Sequence, residues 1–150
     1  IEYSNIEKFK NICGVWVMYN ENDRLLEVAQ TSNIFGELAY DLSWIMKKYP
    51  KEVDRTKRYA ARRLLDFNKK FDVLRCDKNR TTAKYRNIAE ESERIFVYVV
   101  LEEEAVSDDR FEREKIELKI AIDNQAAYWN AYGKQRKMAK AYYASVNTNR

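Results

Sequence analysis

The chain has no histidine, one proline, three glycines and two cysteines in 150 residues. Without histidine there are no His-based triads and no His general bases. Cys13 and Cys76 alone give no zinc-site spacing. Cys13 reads as a small buried apolar residue in a strand-like run. Low Gly and Pro, with 45% hydrophobic residues, argue against disorder. No apolar run approaches the roughly 18 residues of a membrane span. Residues 1–10 lack the charge, apolar, small-residue order of a signal peptide. The expectation is a soluble, intracellular (cytoplasmic) protein with no membrane partner. At this length one domain is the simplest organisation, and it can bury a core without staples.

What is present is segregated charge. Residues 1–50 carry 5 basic and 7 acidic side chains. Residues 51–88 carry 13 basic and 5 acidic, a net +8. Residues 89–123 reverse this with 5 basic and 12 acidic, and 124–150 hold 5 basic and none acidic. Two basic blocks around an acidic one suggest a polyanion surface beside a separate acidic patch. Taken one at a time, such blocks are also what solvated helix faces look like.

Hydrophobic patterning gives the order of elements. Residues 12–19 and 24–31 are strand-like, and Asn20-Glu21-Asn22-Asp23 between them is turn chemistry, so the pair reads as a hairpin. Thr31-Ser32-Asn33 offers helix caps. Phe35, Leu38, Leu42 and Ile45 then form one apolar helical stripe, ended by Pro50. Val53, Ala60, Leu64, Phe67, Phe71 and Leu74 form a second stripe. Its outer face carries Lys57, Arg58, Arg62, Arg63, Lys69 and Lys70. Residues 80–92 read as a short helix. Residues 94–101 are the most apolar run and do not alternate, so they read as a central strand covered on both faces. Ser107-Asp108-Asp109 can cap the next helix, with Leu118 and Ile122 on its buried side. The tail is helix-compatible, basic and aromatic. The predicted fold class is α+β: a small antiparallel sheet, made of the N-terminal hairpin and one central strand, flanked by helices. Residues 1–150 form a single domain, with a basic helical insert at about 51–88 and a basic aromatic helix at about 131–146.

That order, with Gly14-Val15-Trp16, Glu27-Val28-Ala29-Gln30-Thr31-Ser32-Asn33 and the late Glu117 and Trp129-Asn130, resembles the GIY-YIG nuclease family. The likeness touches the first 46 residues and then 94–130. It implies a DNA-cutting ancestry. In that family a phenol helps activate water, a guanidinium holds the scissile phosphate, a Glu holds one divalent metal ion and an Asn braces the site. Laid onto this chain, Glu117 falls on the metal-binding Glu and Asn130 on the closing Asn. Trp16 stands at the first Tyr, and an indole N–H only donates. Glu27 stands at the second Tyr and Ala29 at the glycine. Glu37 stands at the Arg, a charge reversal beside a phosphate. In a shifted alignment, Tyr19 or Tyr40 could supply a phenol, and Arg24, Arg58 or Arg62 a guanidinium.

Read as structure alone, Trp16 is a half-buried strand aromatic, Glu27 a solvent-facing strand acid and Glu117 a surface acid. Glu102, Glu103 and Glu104 are a solvated strand end. The function these features lead one to expect is nucleic-acid binding, to DNA first, on a nuclease-like scaffold with a degenerate centre. Lys57, Arg58, Arg62, Arg63, Lys69 and Lys70 are the phosphate contacts, and tail aromatics among basic residues could stack on bases. A working endonuclease using Mg2+ or Mn2+ at Glu117 is the enzymatic alternative. A protein-interaction module or regulator of phage or mobile-element type, with a protein partner, is the third.

Overall fold

The computed structural model describes residues 7–46, 80–129, 131 and 133–148. The first strand, β1 (Gly14–Asn20), and the second, β2 (Leu25–Thr31), form the hairpin. The turn is closed by Asn20, whose side-chain oxygen accepts the backbone N–H groups of Asn22 and Arg24 at 2.9 and 3.1 Å. Asp23 sits in the left-handed region (φ 56°), which Asp tolerates in a turn.

Helix α1 (Ile34–Met46) starts where the side chain of Asn33 accepts the N–H of Gly36 at 3.2 Å. Helix α2 (Arg80–Glu91) leads into β3 (Ile95–Val99). Helix α3 (Arg110–Asp123) is capped by Asp109, which accepts the Phe111 N–H at 2.9 Å. Helix α4 (Gly133–Thr148) closes the described chain. The architecture is α+β, as its composition and periodicity predict.

The sheet is antiparallel with order β2-β1-β3, so β1 is central. This corrects the expectation that 94–101 is the central strand. On one face Trp16, Met18 and Val97 pack with Ile34, Leu38, Ile45, Tyr85 and Ile88 from α1 and α2. On the other, Val15, Val17 and Val28 pack with Leu118, Ala121 and Ile122 from α3 and with Ala139 from α4. Helix α3 crosses β2 and β1. At β3, Phe96 and Tyr98 stay 42% and 53% exposed. An apolar run without alternation can therefore be an edge strand: composition does not say which faces a helix will cover.

Each fully buried aliphatic side chain, such as Leu26 or Leu38, contributes about 1.5–3 kcal/mol. Gly14 lets α1 approach, since a Cβ there would lie 2.7 Å from Ile34 Cδ1. Of the predicted basic insert, 80–88 belong to α2, and Tyr85 and Ile88 are core residues. Lys57, Arg58, Arg62, Arg63, Lys69 and Lys70 lie outside the described residues.

Candidate functional site

Strand β2 lies at the edge of the sheet, so its side chains reach both helix layers. Glu27 pairs with Met18 across the hairpin and shares the α1–α2 face with Trp16. Glu27 is 5% exposed rather than solvent-facing, and this corrects its sequence reading. Its Oε1 takes an ion pair from Lys84 Nζ of α2 at 2.6 Å. Its Oε2 is buried with no hydrogen-bond partner among the described residues. An unpaired buried acceptor of this kind costs about 1–3 kcal/mol. Lys84 also sits 4.7 Å from the centroid of the Tyr85 ring.

Two more acids of α1 join this buried seam. Burial raises the Glu37 carboxyl above the usual range; the Thr31 hydroxyl partly offsets this and the Glu27 charge adds to it. Burial, and then the Glu27 charge, push Asp41 up to about 8. Burial and the same negative charges drive the Tyr85 hydroxyl strongly upward, so it stays a neutral phenol. Trp16 is 0% exposed, deeper than the half-buried aromatic expected. Its indole N–H favours the Glu37 carboxylate from outside hydrogen-bonding geometry and has no hydrogen-bond partner among the described residues.

On the far side of β2, Glu117 of α3 is 8% exposed, so it is not a surface acid. Trp129 Nε1 donates to its Oε1 at 2.9 Å, and Gln135 Nε2 of α4 donates to its Oε2 at 3.0 Å. Burial pushes this carboxyl up to about 7, against the pull of those two donors. One helical turn earlier, Arg113 is buried and bonds Gln30 Oε1 at 3.2 Å and the Ser107 carbonyl at 2.8 Å.

Glu27 and Glu117 open onto one cleft of about 230 Å3. Val28, Ala29, Gln30, Lys84, Arg110, Glu114, Tyr128, Trp129 and Gln135 complete its walls. Arg110 bonds Glu114 at 2.8 Å, and the Tyr128 hydroxyl bonds Glu91 at 2.7 Å. The fold thus brings together Glu27 and Glu117, with Glu37 close enough to raise Glu117 by its charge. Trp16 is sealed beneath the sheet, and Asn130 lies outside the described residues.

Of the alternative donors, Tyr19, Tyr40 and Arg24 do not line the cleft, and Arg58 and Arg62 lie outside the described residues. Tyr19 stacks edge-on with Tyr98 at 6.0 Å, Tyr40 is exposed, and Arg24 pairs with Glu91. Cys13 is half-buried rather than buried, with its Sγ 3.5 Å from the Ser107 carbonyl. Glu102, Glu103 and Glu104 are exposed, as expected. Of the tail aromatics, Trp129 is core and Tyr142 is held by Asp123 at 2.8 Å.

The divalent ion that the resemblance implies is poorly matched by these donors. Both oxygens of Glu117 already accept an N–H group. Among the described residues, no three of His, Cys, Asp or Glu come together as metal ligands. A hard cation such as Mg2+ wants near-octahedral oxygens.

Lys84, Asp41, Tyr85 and Gln135 were not singled out from the sequence as site residues. One signal for Asp41 was there: Ile34, Leu38, Asp41 and Ile45 form the truly buried stripe of α1, one position round from the stripe read off Phe35 and Leu42. An acid inside an apolar stripe marks a built polar site. Nothing local marks Lys84 or Gln135, whose partners lie 57 and 18 residues away. No family model, curated protein or solved structure matches the chain.

Proposed function

We propose that the chain is a nucleic-acid-binding protein on a scaffold that resembles the GIY-YIG nucleases, with a centre that has lost that family's chemistry. The observation that carries binding is the charge segregation: net +8 over residues 51–88 and five cations without an acid over 124–150. Lys134, Lys137 and Lys140 support it, three exposed cations at spacings of three along the outer side of α4. Loss of chemistry is supported by Trp16, a sealed donor where the resemblance wants a phenol, and by Glu27, an ion-paired acid where it wants the second. Glu37 puts negative charge where a phosphate would need a guanidinium.

The test is anisotropy of labelled single- and double-stranded DNA at 50 and 200 mM salt. Six phosphate contacts predict a loss of about 10³ in affinity over that range. Replacing Lys134, Lys137 and Lys140 together by Gln should lower the log–log salt slope by about 3. Salt-independent binding removes the electrostatic basis of the reading. The rival, an endonuclease working through Glu117, rests on that residue facing the cleft. It requires nicking that depends on Mg2+ or Mn2+ and vanishes in Glu117→Ala.

A further inference from the structure

We propose that the cleft beside β2 binds an organic cation, an alkylammonium or guanidinium group, on the unpartnered oxygen of Glu27, with Glu117 and the aromatic wall of Tyr128 and Trp129 completing the site. Four observations lead there. Glu27 is more than nine-tenths buried, lines the cleft, and has one oxygen bonded to Lys84 and the other without a donor among the described residues. The cations on the cleft wall are already committed, Lys84 to Glu27 at 2.6 Å and Arg110 to Glu114 at 2.8 Å. Glu27, Glu114 and Glu117 stand against those two paired cations, and no further Lys or Arg lines the cleft among the described residues.

An anion entering this space meets repulsion; a cation with several N–H donors meets an acceptor that lacks one. A volume of about 230 Å3 suits one side-chain head or a short diamine, not a folded partner. The inference stands apart from the nucleic-acid reading, since a polyanion would use the basic blocks and leave the cleft free.

The experiment uses the full 150-residue chain, 15N-labelled. The indole N–H of Trp129, which donates to Glu117, is the reporter, assigned against Trp129→Phe. Agmatine represents a free cation and N-acetylarginine amide a peptide-borne one. Pentanol, inorganic phosphate and Mg2+ are the comparison ligands. Saturable shifts with agmatine or the arginine amide, and none with pentanol, support the site. The tighter of the two cations identifies the source as free amine or protein side chain. Glu27→Gln should weaken that binding about tenfold or more. Should Glu27→Gln fail to fold, the wild-type titrations still decide, with Glu117→Gln as the second variant, expected to weaken binding less. No shift with either cation up to about 10 mM, or saturation by phosphate or by Mg2+ alone, overturns the proposal.

Discussion

Glu27 and Glu117 are the same residue type, almost equally buried, on opposite sides of one strand. Their surroundings solve the cost of burial differently. Glu27 is met by a full charge, Lys84 at 2.6 Å. Glu117 is met by two neutral donors, Trp129 and Gln135. A buried ion pair makes each member dependent on the other. Neutral donors tolerate either protonation state, which is why burial moves the Glu117 carboxyl up to about 7. One carboxylate is therefore held by an ion pair and the other by two neutral hydrogen-bond donors.

The most forceful way to break the contrast is Lys84→Met. It strands a buried carboxylate and should cost about 3–5 kcal/mol in urea unfolding. Adding Glu27→Gln should recover much of that loss, because the orphaned charge is then gone. If Lys84→Met unfolds no more easily than wild type, the pair is not a structural one.

Glu117→Leu comes next. It leaves the Trp129 N–H without its acceptor, at about 1–3 kcal/mol, while Gln135 keeps only its bond to the Glu114 carbonyl. Glu117→Gln keeps an acceptor oxygen and should cost clearly less. Equal losses in the two variants would mean that packing, not hydrogen bonding, sets the value of the site.

A third way to sharpen the contrast is pH dependence. Asp41 rises from 3.8 to about 8 and Glu117 from 4.5 to about 7. A carboxyl raised in the folded state holds its proton more tightly there than in the unfolded chain. Its contribution is fully present below about pH 4 and is lost as pH climbs through 7 to 8. The urea midpoint should therefore fall from pH 5 to pH 8. Asp41→Asn and Glu117→Gln should each flatten that fall, which would divide it between the two sides of β2. A midpoint that rises over this interval in the wild type would contradict both shifts.

The hairpin, its turn, the caps at Asn33 and Asp109 and the helices α2 to α4 were legible in the sequence. Their signals are local: side-chain alternation, Asn and Asp at turns, and polar residues before apolar stripes. The sheet order was not legible, because strand neighbours depend on packing between distant segments. The site was legible in part. Glu27 and Glu117 were named from the resemblance, yet their burial and their meeting in one cleft depend on Lys84 and Gln135, residues that local patterns leave looking like surface. Asp41 was hidden by reading the α1 stripe one position round.

The order β2-β1-β3 also has a kinetic side. β1 meets β2 across the turn at 21–24, but reaches β3 only by closing the chain between Asn20 and Ile95. Closure of that kind is entropically slow to begin, yet each doubling of the intervening length adds only about 0.6 kcal/mol. The hairpin is thus the fast, local event, and the docking of β3 onto a finished template is the late one. That arithmetic holds for flexible chain alone, because α1 and α2 within the connection carry the core residues Ile34, Leu38, Tyr85 and Ile88.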